Sequence, residues 1–155
     1  TRETWLERAE LVERDGTVSL VTNTQDRWFT PDFVAEEPGK VAAIMEGLAA
    51  SDDYSYAQLC RCLATYDFRG DLHKLYTPIM LISGEKDESH PIADLELVLE
   101  SAPGADMRVV PDVAHQVTVA APGTVADIIR SFFRRLRQQH WSVYDITDGD
   151  TRLGH

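Results

Sequence analysis

The stretch Pro78-Ile-Met-Leu-Ile-Ser-Gly-Glu-Lys-Asp87 decides the fold class of this chain. Four apolar residues in a row over 79–82, followed by a glycine and an acid, predict a strand buried on both faces of a parallel sheet. A helical pattern over 91–101 and a second apolar run over 107–110 come next. Together these elements predict a β-α-β unit with a right-handed crossover.

Asp87 and His115 each follow one of the two predicted strands, so both are expected at the carboxyl edge of the sheet. A buried carboxylate that accepts the Nδ1 proton of a histidine fixes its tautomer and leaves Nε2 free to take a proton. The pair is therefore a candidate catalytic acid and base. The alternative is that Asp87 only accepts backbone N–H groups in a turn and that His115 is a hydrogen-bonded loop residue.

Composition excludes several classes of partner. The chain has 155 residues and a net charge of −11. A surface that binds nucleic acid or an anionic membrane needs clustered Lys and Arg, so the charge argues against both partners. No apolar run approaches the ~18 residues of a membrane span, and no signal segment precedes the first helix, so we expect a cytoplasmic protein. Cys60 and Cys62 lack the spacing of a zinc site. The sequence thus predicts no metal and no cofactor.

Helical patterns fill the first part of the chain, over 5–14, 40–50 and 54–66. Thr4 with Glu7 predicts a capping box for the first helix, and Pro38-Gly39 predicts a break before the second. The run over 17–22 suits a helix or a strand equally. We therefore expect three parts: a small helical layer over 1–70, the β-α-β-α segment over 71–140, and a polar tail over 141–155.

Several motifs make the chain resemble a known family. They are Trp5-Leu-Glu-Arg-Ala9, Arg27-Trp-Phe-Thr30, Tyr56-Ala-Gln-Leu-Cys60 and the turn Gly84-Glu-Lys-Asp87. With these motifs the chain resembles the C-terminal half of an α/β-hydrolase, and within that superfamily the 3-oxoadipate enol-lactonases of aromatic catabolism. The resemblance implies that residues 1–70 form a helical cap, or lid, over the active site. It also implies that Asp87 is the triad acid, His115 the triad base and Trp28 a substrate-binding residue of the cap.

The chain departs from that family in several respects. No serine lies in a Gly-x-Ser-x-Gly elbow, and the oxyanion hole and the earlier strands of the sheet are also absent. The loop after the histidine is altered as well, to Gln116-Val117-Thr118. We therefore expect an incomplete sheet whose N-terminal half is absent. With that half supplied, the protein is expected to hydrolyse a small carboxylated lactone or ester. Alone, the chain is expected to be inactive as a serine hydrolase.

A second hypothesis takes the missing nucleophile as a property of the protein. The chain is then a truncated, non-hydrolytic relative that binds a small ligand, or one that uses Asp87 and His115 for proton transfer in a cyclase-like or isomerase-like reaction. The exposed edge of the strand over 79–82 then predicts a dimer or a companion subunit.

Overall fold

The computed structural model describes residues 1–148, and the surroundings of side chains over residues 1–138. Helices make up its first part: α1 (Arg2–Asp15), a 3₁₀ helix (Thr17–Leu20), α2 (Val21–Trp28), α3 (Pro31–Glu36), α4 (Pro38–Ala49), α5 (Asp53–Thr65) and a second 3₁₀ helix (Arg69–Lys74). The second part is β1 (Ile79–Gly84), α6 (Ile92–Ser101), β2 (Ala105–Val110), α7 (Val117–Ala120) and α8 (Pro122–Asp148). The predicted order of a helical part followed by β-α-β-α is confirmed.

Two of the predicted helix starts are wrong, for reasons of local chemistry. Helix α1 begins at Arg2, because the Thr1 hydroxyl accepts the N–H of Thr4 and so caps the helix one turn earlier than expected. Pro38 begins α4 and does not break the chain, since a proline fits the first helical turn, where its missing N–H is not needed. The ambiguous run over 17–22 is helical, as a 3₁₀ turn that leads into α2.

Small side chains bring α1 and α5 together. Ala9 and Val12 of α1, and Ala57 and Cys60 of α5, are all buried in one apolar cluster with Phe29. The spacing over 54–66 also predicts Leu59 and Leu63 on the same face as Cys60. They are instead 64% and 46% exposed, because the face that meets α1 is the one with small residues. Ser51-Asp52-Asp53 predicts a cap for this helix, and Asp52 caps α5 by accepting the N–H of Ser55.

The sheet of the described residues consists of β1 and β2, paired in parallel from Ile79 with Ala105 to Gly84 with Val110. Helix α6 connects the two strands and packs against β2. Strand β1 is only half-buried up to Ile82, so the expectation that it is covered on both faces is wrong for this chain. Its carboxyl end, Ser83 and Gly84, is buried.

Helix α8 is longer than the sequence predicted. It continues to Asp148, so residues 141–148, which the sequence places in the polar tail, are helical. The remainder of the predicted tail, residues 149–155, lies outside the described residues. None of the helices over residues 1–148 combines the length and the apolar composition that a membrane crossing requires.

Candidate active site

At Gly84 the loop that carries the candidate acid packs closely against the loop that carries the candidate base. A Cβ atom on Gly84 would lie 2.3 Å from the carbonyl oxygens of both Val113 and Ala114, so only glycine permits this approach. The N–H of Lys86 donates to the Val113 carbonyl oxygen at 2.9 Å. The loop after β1 is therefore held directly against the loop that leads to His115.

A sharp turn at Asp112, directly after β2, brings the chain against the loop after β1. Asp112 has a positive φ of 58°, a conformation that Asp tolerates better than most side chains. Its N–H donates to a carboxylate oxygen of Glu85 at 3.1 Å, and its own carboxylate lies 2.8 Å from Lys86 Nζ. These bonds connect the turn to the loop after β1 a second time.

Asp87 and His115 meet where these loops converge. His115 Nδ1 lies 2.9 Å from Asp87 Oδ2, and the other carboxylate oxygen accepts the N–H groups of Ser89 at 2.8 Å and His90 at 3.0 Å. The Asp87 side chain is 7% exposed and that of His115 28%. Burial of Asp87 by itself would raise its pKa, but the bonds from His115, His90 and Ser89 outweigh it and lower that pKa below its usual value. The carboxylate is thus charged at neutral pH and oriented toward the imidazole.

Trp28 lies beside this pair. Its ring centroid is 5.9 Å from that of His115, and the two planes are tilted by 37°. The backbone supports the contact, because the N–H of Gln116 donates to the Trp28 carbonyl oxygen at 3.1 Å. The structure therefore brings the three residues singled out in the sequence together, while their roles stay predictions.

His90 is a neighbour that the sequence did not single out. It is exposed, as a histidine in a polar turn is expected to be, yet its ring stacks on His115 with centroids 5.2 Å apart. Potential ligand atoms of Asp87, His90 and His115 all lie within 4.8 Å of one another. The only sequence signal was its position, three residues after the acid in the turn that precedes α6.

A cavity of about 360 Å³ opens in front of the pair. It lies between the helical part of the chain and the β-α-β part. Its lining includes Trp5, Arg8, Trp28, Tyr56, His90 and His115.

Arg8 supplies a cation to this cavity. Its Nε donates to the Tyr56 hydroxyl at 3.1 Å, one terminal nitrogen donates to the Thr24 hydroxyl at 3.3 Å, and the guanidinium lies over the Tyr56 ring. Over residues 1–138, no carboxylate forms a salt bridge with it, although the side chain is half-buried. A half-buried guanidinium held by neutral groups is well suited to an anionic ligand. The sequence showed the WLERA motif but not this network, which comes from three different helices.

Comparison with solved structures defines the class of fold. The chain superposes on the enol-lactonase from Burkholderia xenovorans with a TM-score of 0.81 at 24% identity, covering 85% of this chain and 50% of that one. An esterase from Thermogutta terrifontis gives a TM-score of 0.79 at 21% identity, again covering 50% of the solved chain. This chain therefore has the fold of one half of an α/β-hydrolase, and a helical part before the last strands is consistent with the C-terminal half.

Comparison of sequences narrows the class. Two curated relatives from Acinetobacter baylyi are 3-oxoadipate enol-lactonases, one 27% identical over 133 residues and the other 28% identical over 137 residues. These alignments cover 86% and 88% of this chain but 49% and 51% of the relatives, so the chain spans about half the length of the curated relatives it matches. No family model matches the chain. The resemblance to the enol-lactonases is thus confirmed.

Proposed function

We propose that the chain is the acid–base and cap portion of an enol-lactonase-like hydrolase, which opens a small carboxylated lactone or ester through an acyl-enzyme. The observation that carries the proposal is the Asp87–His115 hydrogen bond, with His115 lining a cavity that the helical part also lines. In this role His115 Nε2 takes the proton of a nucleophilic serine and later returns it to the leaving oxygen. Asp87 holds the imidazole in the tautomer that makes this possible.

In this proposal Trp28 and Arg8, both in the helical part, bind the substrate. Trp28 covers the imidazole on the cavity side and provides an apolar face for the lactone ring. Arg8 is positioned by Tyr56 and Thr24 to bind a carboxylate on the substrate through charge-assisted hydrogen bonds. The site therefore favours a compact substrate with one anionic end.

The nucleophile and the oxyanion hole have to come from elsewhere in the protein. The sequence has no Gly-x-Ser-x-Gly elbow, and the relatives are about twice as long as this chain. We propose that an N-terminal hydrolase half supplies both groups, either covalently or as a companion polypeptide. Without them the chain lacks the groups that dominate the rate of acyl transfer.

The test is hydrolysis of 3-oxoadipate enol-lactone by the protein expressed from its complete reading frame, together with any companion polypeptide that co-purifies. We expect turnover that falls by about 10³-fold or more in His115→Ala, because the general base is lost. A matched control is His73→Ala, an exposed histidine on the second 3₁₀ helix. Turnover that survives His115→Ala would contradict the proposal.

Ligand binding without hydrolysis is the second candidate. It is favoured by the fact that residues of this chain alone form the cavity and line it with a cation and aromatic rings. The two functions are separated by the same assay. Tight binding of the lactone, with no turnover in the presence of the companion polypeptide, would favour this candidate.

A further inference from the structure

We propose that Asp87, His90 and His115 form a binding site for a divalent transition-metal ion, Zn²⁺ in particular. The proposal rests on the geometry of these three side chains and does not depend on the hydrolase function. The sequence predicted no metal site, because its two cysteines lack zinc spacing. The fold brings two of the five histidines next to one buried carboxylate.

The distances suit a shared ion after a small adjustment. Two ligands about 2.1 Å from a tetrahedral Zn²⁺ are roughly 3.4 Å apart. His115 Nδ1 and Asp87 Oδ2 are 2.9 Å apart, and the ligand atoms of the whole group lie within 4.8 Å of one another. The ring of His90 is exposed and stacks on His115, and no hydrogen bond of this ring is found over residues 1–138. It can therefore rotate toward the other two ligands at small cost.

The donor set selects the metal. Two imidazoles and one carboxylate are a ligand set that Zn²⁺ uses when a fourth position stays open, whereas Mg²⁺ and Ca²⁺ prefer oxygen ligands throughout. The second Asp87 oxygen already accepts two backbone N–H groups, from Ser89 and His90, which fix the orientation of the carboxylate as outer hydrogen bonds do in metal sites. The net charge of −11 also attracts cations to the molecule.

Metal binding and base catalysis exclude each other at His115. An ion that bonds to Nδ1 displaces the proton from that nitrogen, and the neutral imidazole then carries its proton on Nε2. In that tautomer Nε2 has no free lone pair to accept a proton from a nucleophile. Zn²⁺ would therefore hold the acid–base pair in an inactive state that a chelator reverses.

The experiment is calorimetric titration of the chelator-treated chain with zinc chloride, with no substrate present. We expect one tight equivalent, weakened by more than about tenfold in His90→Ala, since even the loss of an outer hydrogen bond to a metal ligand costs that much. His90 is exposed, so this variant is expected to fold, and circular dichroism checks that it does. Magnesium chloride is expected to give no binding at the same concentrations.

The matched controls are His73→Ala and the double variant His140→Ala/His155→Ala. None of these three histidines is one of the proposed ligands, so the tight equivalent should be retained in both variants. X-ray absorption of the zinc-loaded chain should show two imidazole ligands. The proposal is wrong if His90→Ala binds Zn²⁺ as tightly as the unchanged chain, or if the controls remove the tight equivalent.

Discussion

At the scale of single residues, the candidate site depends on how Asp87 is surrounded. Its carboxylate accepts hydrogen bonds from one imidazole and two backbone N–H groups, and it is almost fully buried. These bonds stabilise the charged form, so the pKa of Asp87 is lower in the folded chain than in the unfolded one. The same bonds that orient His115 thus contribute to stability.

The first prediction concerns the acid dependence of that contribution. Because the folded pKa is depressed, the stabilisation is fully present above the unfolded pKa of about 3.9 and is lost as the pH falls through the folded pKa. We expect Asp87→Asn to lower the free energy of unfolding at pH 7, and the difference from the unchanged chain to narrow below about pH 4. Urea unfolding at pH values from 7 to 3 measures the difference in the free energy of unfolding between the two chains.

Glu88→Gln is the matched control for this experiment. Glu88 is the exposed neighbour of Asp87, and over residues 1–138 its side chain makes no hydrogen bond. We expect this variant to follow the unchanged chain throughout. A difference for Asp87→Asn that stays constant from pH 7 to pH 3 would contradict the stated environment of Asp87.

The second prediction concerns Arg8. Its guanidinium is oriented by Tyr56 and Thr24, so a carboxylate in the cavity should gain charge-assisted hydrogen bonds. We expect adipate to bind the chain and Arg8→Gln to weaken that binding by about tenfold, which corresponds to roughly 1.4 kcal/mol. Titration followed by NMR measures both affinities. Arg14→Gln, which removes an exposed arginine paired with Asp15, is the control and should leave the affinity unchanged.

Two residues of the candidate site could be predicted from the sequence, and two could not. Asp87 and His115 could be predicted, because each follows a recognisable strand and parallel strands end at one edge. The positions of Arg8 and His90 at the site could not. Arg8 reaches the cavity from another helix through packing of α1 on α5, and His90 depends on the path of a turn that no periodic pattern describes.

At the scale of elements, the strands and helices with strong local sequence patterns were the most predictable. The two strands and the helix between them follow from apolar runs separated by prolines and glycines. The ends of helices were less predictable, because one side-chain hydrogen bond at Thr1 or one proline at Pro38 moves a helix start by several residues. The run over 17–22 was settled by tertiary contacts: Thr17 is buried and its hydroxyl lies within hydrogen-bond distance of the Ala49 and Ser51 carbonyl oxygens.

The third prediction concerns the close approach at the end of β1. Gly84→Ala forces a methyl group against the carbonyl oxygens of Val113 and Ala114, and backbone atoms cannot move aside as a flexible side chain can. We expect a loss of about 1–3 kcal/mol in the free energy of unfolding, together with displacement of His115 from Asp87. Thermal unfolding measures the first effect, and the histidine NMR signals measure the second.

Gly47→Ala is the control at this scale. A Cβ atom on Gly47 meets nothing within 4 Å, and the residue lies inside α4. Alanine is a better helix former than glycine by up to about 1 kcal/mol, so this variant should be neutral or more stable. Equal behaviour of the two glycine variants would contradict the packing described at Gly84.

At the scale of the whole molecule, the chain combines a cavity lined by its own residues with an incomplete sheet. The cavity is lined from both parts of the chain, whereas the described sheet has two strands and leaves apolar side chains such as Val109 and Phe133 exposed. Two parallel strands rarely suffice for an independent sheet. The alignments cover about half the length of each curated relative, which agrees with a sheet that is only partly present in this chain.

The fourth prediction follows from that incomplete sheet. In the absence of a companion polypeptide, the open strand edge and the exposed apolar residues should bring copies of the chain together. Sedimentation of the isolated chain is expected to show association that increases with concentration. A stable monomer at every concentration would instead mean that the exposed edge does not seek a partner strand.

The proposed acid–base pair requires that this chain alone orients His115 through Asp87, and the tautomer of His115 tests this requirement most directly. Nitrogen-15 NMR of the imidazole ring in the isolated chain, near pH 8, distinguishes a proton on Nδ1 from one on Nε2. We expect the proton on Nδ1, bonded to Asp87, with Nε2 free, and we expect Asp87→Asn to remove this preference. A proton on Nε2 in the metal-free chain, or a tautomer unaffected by Asp87→Asn, would contradict the proposed pair.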